Sequence, residues 1–367
     1  MRTLHLISSL TGGGSERQLA YLTQELVRRG HDVHVGYSHP GPGRRDANAV
    51  AATHLPARSP WSVRRVADVV ALIRKIRPDV VQTWSVATDV IGGLAVAPLR
   101  IPWLVRESTW PAGWDRPKLE TLRVRIARQF ASGVLANSRA GLAYWRSRAP
   151  EMPAALLPNS VPARWISAAA IPRRPVTDAI GMFVGRLDAV KNVDVIIAAA
   201  AQVIRDRDFK LTICGEGLER DNLKSLAVRL GIESHVHFMG HQHRVWGHLR
   251  RASFAVLVSD VEGVPNAALE AFAAGTPVVL SDIPAHRDLA PPGSVLFVNV
   301  DDVEGTARAM TQVLDDPEGA TERATRARSG LMAHSIEAAG NALENFYLEV
   351  LERRRPVPIA SPPGWSA

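Results

Sequence analysis

Short apolar runs alternate with longer stretches of helical period along nearly the whole chain. Residues 4–9 read as a strand, 16–29 as a helix that Gly30 stops, and 32–37 as a second strand. The rhythm continues with helix 62–76, strand 80–83, helix 89–97, strand 103–106, helix 118–131, strand 134–137, helix 139–147 and strand 155–157. Residues 158–178 break it: they are rich in Pro, Ala and Arg and carry no apolar period, as an interdomain linker would. A second series follows, with strands at 181–184, 210–214, 236–239, 254–258, 277–281 and 294–298. Its helices fall at 193–204, 219–230, 245–251, after Pro265, and at 302–315. A long helix over about 321–353 closes the series, and the Pro- and Ser-rich tail 356–367 reads as disordered. Such alternation predicts parallel sheets with helices on both faces, twice over. The domain boundaries expected are 1–165, a linker 166–178, a second domain 179–335 and a C-terminal helix 336–355.

Composition adds little to this and removes some alternatives. At 367 residues, 46% hydrophobic and 22% charged, the chain suits a soluble protein of two domains. No apolar run is long enough to span a membrane, and the first one is too short for a signal peptide. One cysteine, Cys214, allows no intrachain disulfide, so a reducing cytoplasm is the expected location. Charge is uneven: residues 1–165 hold 23 Lys and Arg against 11 Asp and Glu, and the rest hold 21 against 25. A basic N-terminal half suits an acidic partner, whether an anionic membrane, a lipid phosphate or nucleic acid. An arginine-rich composition without functional meaning explains it equally well.

The densest chemistry lies in 259–276, SDVEGVPNAALEAFAAGT. A buried strand precedes it, Pro265 suits the first turn of a helix, and Gly275 suits its end. Glu262 then lies in the strand-to-helix loop and Glu270 inside the helix. Between them, Gly263, Val264 and Asn266 offer backbone N–H groups at the helix N-terminus, where an anion binds well. Two carboxylates flanking an anion site suit a ligand with a polyol at each end and a diphosphate between, as in a nucleotide sugar.

This wording, E-G-V-P-N-A-A-L-E-A-F-A-A-G-T-P-V-V, resembles the E-x7-E signature of retaining glycosyltransferases of the GT-B fold, family 4. Three further segments resemble family motifs, in the expected order. Gly13-Gly14-Ser15-Glu16-Arg17 is similar to the G-G-x-E-R loop, Gly185 to Asn192 to the G-R-L-x-x-x-K-[GN] motif, and Cys214-Gly215-Glu216-Gly217 to a G-x-G turn near the nucleotide. The resemblance implies two Rossmann-like domains facing across a cleft, with a C-terminal helix crossing back to the N-terminal domain. It implies that Arg186 and Lys191 bind the donor diphosphate and that Gly13, Gly14 and Gly215 approach the donor. It further implies that Glu262 grips the donor sugar and Glu270 the ribose, while Glu16 orders its loop or meets the acceptor. The activity implied is transfer of a hexose-type sugar to a lipid-linked, glycan or other cell-envelope acceptor, without metal or other cofactor. Peripheral contact with the inner face of the membrane fits that acceptor.

Each residue also has a plainer reading. The loop after the first strand can be a tight turn, since it is neither a Walker A loop nor a G-x-G-x-x-G match. Glu216 suits a strand-end turn nearly as well. Arg106 stands where many family members carry a His; it is open between binding phosphate or acceptor and pairing with Glu107 or another acid. His235, His237, His241 and His243, with Cys214, lack the convergence that a zinc site needs. Asp206-Arg207-Asp208 falls at the wrong end of its strand for a metal-binding D-x-D and reads as a solvated turn. Trp110 and Trp114 suit a membrane surface, or they flank a helix whose Leu119, Leu122 and Ile126 face the core while its arginines face water. Rival functions are a same-fold sugar-nucleotide epimerase or hydrolase, which needs no acceptor, and a nucleic-acid-binding protein, for which no motif is found.

Overall fold

The computed structural model describes residues 1–11, 13–41, 50–56, 62–108, 117–168, 179–242 and 244–353. The N-terminal domain is a sheet of seven parallel strands in the order β3-β2-β1-β4-β5-β6-β7. These are β1 (Arg2–Ser9), β2 (Asp32–His39), β3 (Ala51–His54), β4 (Val80–Thr83), β5 (Trp103–Glu107), β6 (Gly133–Ala136) and β7 (Ala154–Leu156). The second domain is a sheet of six parallel strands in the order β10-β9-β8-β11-β12-β13. Its strands are β8 (Ala179–Val184), β9 (Phe209–Cys214), β10 (Val236–Gly240), β11 (Phe254–Leu257), β12 (Val278–Ser281) and β13 (Leu296–Val298). The order reverses between β1 and β4 in one sheet and between β8 and β11 in the other. Loops at such switch points diverge and leave a crevice beyond the carboxyl ends of the strands.

The N-terminal sheet is covered on both faces, so its central strands are mostly apolar, with a few buried polar residues such as His5 and Gln82. On one face Leu4, Leu6, Val81 and Val105 pack with α2 (Val63–Ile76), α3 (Val86–Val96) and α4 (Pro117–Phe130). On the other, Ile7, Val80 and Leu104 meet Leu19, Leu22 and Leu26 of α1 (Gly14–Arg28). They also meet Leu343, Phe346, Tyr347 and Val350 of α14 (Ile336–Glu352), so the C-terminal helix is part of the N-terminal core. The Tyr347 hydroxyl donates to Gln82 of β4 at 2.5 Å, inside that core. Where the chain leaves and re-enters this domain the two crossings pair: Val161 N–H donates to His334 O at 3.0 Å, and Ile336 N–H to Val161 O at 2.9 Å.

Several expectations need correction. The closing helix is two helices, α13 (Pro317–Arg328) and α14, with Gly330 at φ 78° and the 3₁₀ turn Leu331–His334 between them. Ser335 then caps α14 by accepting from Ala338 N–H at 3.2 Å. The linker stretch contains α6 (Ala163–Ala168). Strand β3 and α11 (Pro284–Leu289) were unforeseen, being short and without a full period. On α4 the arginines do not all face water: Arg123 is buried, with Nε donating to Asp89 at 2.7 Å and Nη1 to Glu107 at 2.8 Å. Asp206 and Asp208 are exposed ahead of β9, as a solvated turn would be. The expectations for Trp110, Trp114, His243, the rest of the linker and the tail 356–367 lie outside the described residues.

Candidate active site

The two crevices face each other, and between them lies a cavity of about 780 Å³. Its walls come from loops after β1, β5, β8, β9 and β11, together with the N-terminal turn of α10 (Asn266–Ala274). Of the sequence candidates, Gly13, Gly14, Glu16, Arg106, Arg186, Lys191, Gly215, Glu262, Gly263, Val264 and Asn266 line it.

Glu262 is held from two sides. Lys191 donates from its ammonium to Oε1, and Ser259 Oγ donates to the same oxygen at 2.9 Å. Lys191 is delivered by a 3₁₀ turn, Ala189–Lys191, that is tied to the next loop: Asp260 N–H donates to Val190 O at 3.0 Å and Asn192 Nδ2 to Asp260 at 2.7 Å. The side chains of Lys191 and Glu262 are each 16% exposed, so the pair is partly shielded yet open to the cavity. Arg186 sits at the rim, its side chain 71% exposed and bridged to Asp188 at 2.8 Å. Both cations therefore border one space, each with a carboxylate that an anionic ligand must compete with. Gly215 is required sterically: a Cβ there would lie 1.7 Å from Gly185 O, because the β8 and β9 loops cross in contact.

On the opposite wall, Ser9 Oγ donates to Glu16 at 2.8 Å, and the Glu16 carboxylate folds over Gly13. Arg106 is buried, donating from Nη1 to Leu157 O at 2.6 Å and from Nη2 to Asn159 Oδ1 at 3.4 Å, with its guanidinium 5.7 Å over the Trp84 ring. Burial lowers its pKa to about 10. Glu107 lies on the other face of β5, with Arg123 and Trp145. Trp84 in turn donates its indole N–H to the buried His5 Nδ1 at 3.1 Å, and burial lowers the His5 pKa to about 3.

Glu270 departs from expectation. It does not line the cavity; its carboxylate is buried and accepts from Arg17 Nη1 at 2.5 and 2.7 Å. Arg17, which lines the cavity, belongs to α1 of the other domain, so the pair also ties the two domains together. Asn266, at the cavity wall one turn earlier, also joins this seam, accepting from Gln18 Nε2 at 3.1 Å and Asn159 Nδ2 at 2.9 Å. Gly14 is needed where this seam is tightest, since a Cβ would lie 2.3 Å from Asn266 Nδ2. Sequence reasoning passed over Ser259, Gln18, Asn159 and Trp84; Ser259 stands three residues before Glu262, but a serine alone gave no signal.

Two family models match consecutive halves of the chain: "Glycosyltransferase Family 4" over residues 12–165 and "Glycosyl transferases group 1" over 168–330. The chain belongs to the group 1 glycosyltransferases, of family 4 type. Among relatives of this glycosyltransferase, glycogen synthase of Mycobacterium tuberculosis is 36% identical over 202 residues, covering 53% of this chain and 48% of the relative. The match thus spans about half of that protein's length. The lipopolysaccharide core biosynthesis glycosyltransferase LpsE of Rhizobium meliloti is 27% identical over 92% of this chain and 96% of its own. Among solved structures, Anabaena HepE in complex with UDP-glucose superposes with a TM-score of 0.82 at 18% identity, covering 95% of this chain and 100% of HepE. That likeness shows the GT-B fold. Among the described residues, no helix of this glycosyltransferase is long and apolar enough to cross a membrane, and no three His, Cys, Asp or Glu gather in a way that would hold a metal ion.

Proposed function

We propose that this glycosyltransferase moves a hexose-type sugar from a nucleoside-diphosphate sugar to a glycan or lipid-linked acceptor, with retention at the anomeric carbon. The observation that carries the reading is Glu262 at the cavity wall, fixed by Lys191 and Ser259 beside the N-terminus of α10. The diphosphate lies between that helix end, Arg186, Lys191 and the Gly13-Gly14 and Gly215 loops. When the C1–O bond to the diphosphate breaks, negative charge grows on the leaving oxygen, and donors already aimed there lower the barrier. The acceptor oxygen then bonds to C1, and its proton passes to the departing phosphate oxygen on the same face. Glu262 meets sugar hydroxyls and offsets positive charge at the anomeric centre.

The acceptor comes from the N-terminal side, past Arg106, Trp84 and Ser108. The basic charge of residues 1–165 favours an acceptor bearing phosphate or one presented on an anionic membrane. The names of relatives, among them lipopolysaccharide core and O-antigen glycosyltransferases, support a cell-envelope glycan as acceptor; a cytoplasmic enzyme at the inner membrane face is the placement proposed with it. UDP is the first nucleotide to test, because HepE and TarM structures hold it. Transfer from UDP-glucose, GDP-mannose and ADP-glucose to lipid extracts and glycan acceptors, with and without EDTA, tests the reading. We expect acceptor-dependent transfer that persists in EDTA and fails in Glu262→Ala. Donor turnover that needs no acceptor would mean an epimerase or hydrolase instead.

A further inference from the structure

Behind Glu262, and outside the cavity, lies a chain of buried polar groups that the proposed reaction does not use. Ser281 ends β12 and is fully buried; its hydroxyl donates to Ser259 O at 2.8 Å and accepts from Ser259 N–H at 2.9 Å. One side chain thereby clamps both backbone groups of the residue whose own hydroxyl holds Glu262. His286 of α11, also fully buried, stands behind Ser281. Its Nδ1–H donates to Ser281 O at 2.8 Å, with Ser281 Oγ 3.1 Å away. Its Nε2 is buried and has no hydrogen-bond partner among the described residues.

That arrangement is costly as plain packing. A buried acceptor without a partner is destabilising, and an apolar side chain of similar size would avoid that cost. Burial also lowers the His286 pKa, so the ring is neutral and carries its one proton on Nδ1, where the hydrogen bonds require it. Each link is a directed donor–acceptor pair. Rotation of Ser281 frees Ser259, and rotation of Ser259 leaves Oε1 of Glu262 to Lys191 alone.

We propose that His286 and Ser281 are positioning residues for the donor sugar, acting through Ser259 to fix the Glu262 carboxylate. Both donors to Glu262 among the described residues meet Oε1, which leaves Oε2 for a sugar hydroxyl. The relay therefore governs grip on the sugar and leaves grip on the nucleotide unchanged. The inference rests on the proposed role of Glu262, and the test separates the two.

Calorimetric Kd values are measured for UDP and UDP-glucose, with GDP and GDP-mannose, and ADP and ADP-glucose, in parallel. The binding pair is followed through Glu262→Ala, Ser259→Ala, Ser281→Ala, His286→Leu and His286→Asn. We expect Ser259→Ala, Ser281→Ala and His286→Leu each to weaken the nucleotide sugar about tenfold, while the bare nucleotide changes less than about twofold. His286→Asn, which keeps an N–H near the position of Nδ1, restores most of the loss. His286→Leu combined with Ser259→Ala loses no more than the larger single change, because both act on one chain. If His286→Leu does not fold, Ser281→Ala carries the same test. Should Glu262→Ala bind the nucleotide sugar normally, or no pair bind the wild type, the role of Glu262 itself fails. If Glu262→Ala loses the sugar grip while the relay variants lower only the melting temperature, weaken sugar and nucleotide alike, or multiply with Ser259→Ala, the relay is merely structural.

Discussion

Lys191 and Glu262 form the pair on which the proposed chemistry turns, and the two are not equivalent. Removing Lys191 takes a cation from the proposed diphosphate site and leaves Glu262 to Ser259. Lys191→Ala should lower kcat/KM about 100-fold or more while circular dichroism shows a folded protein; near-normal turnover would remove Lys191 from the site. Arg186, exposed at the rim and bridged to Asp188, should cost less, about tenfold, mostly in donor KM. The place of these residues at the cavity was legible in the sequence because the loops that carry them are contiguous, and contiguous loops keep motif spacing. Glu270 was not, since its partner Arg17 is remote in sequence and only the docking of two domains brings them together. Arg106 was half legible: its position at the end of β5 was foreseen, its buried contacts with Leu157 O, Asn159 and Trp84 were not.

The elements that meet at the seam make the next prediction. Arg17 on α1 and Glu270 on α10 are shielded, with side chains 15% and 2% exposed. Removing Arg17 takes from the buried Glu270 carboxylate the cation that faces it, so Arg17→Met should cost about 3 kcal/mol. Arg17→Met with Glu270→Leu should recover most of it, as urea midpoints would show; equal loss in both would mean that Glu270 does not depend on Arg17. Tyr347→Phe should cost about 1 kcal/mol by unpairing Gln82 on β4, and its effect belongs to the N-terminal domain despite its place near the C-terminus. Most strands were legible because parallel strands covered on both faces are predominantly apolar. The single helix expected at 321–353 fails for a local reason: Ser329-Gly330 and the Ser335 cap interrupt a pattern whose apolar period continues on both sides.

At the scale of the molecule, the two sheets are separate cores joined by paired chain crossings, a polar seam and α14. Their facing was legible only through the family resemblance, because nothing in an apolar period says which ends of two sheets meet. Acid should find the buried histidines first. His5 titrates at about 3 in the fold against 6.5 unfolded, so the unfolded chain binds the proton that the fold refuses. Its contribution is intact above pH 6.5 and is lost as pH falls toward 3, by up to about 1.4 kcal/mol per pH unit. His286, also lowered by burial, acts in the same direction. His5→Gln should flatten the acid limb of stability against pH; an unchanged limb would assign it to other groups. The account as a whole stands on a nucleotide-sugar site between the sheets. Its most direct test is the melting temperature of the wild type and Lys191→Ala with UDP, GDP and ADP and their sugar conjugates. Ligand that binds only the folded state at 100 times its Kd adds about 2.7 kcal/mol, a shift of several degrees. The account predicts that shift for one nucleotide in the wild type and its loss in Lys191→Ala. No shift with any nucleotide, or the same shift in both proteins, would contradict it.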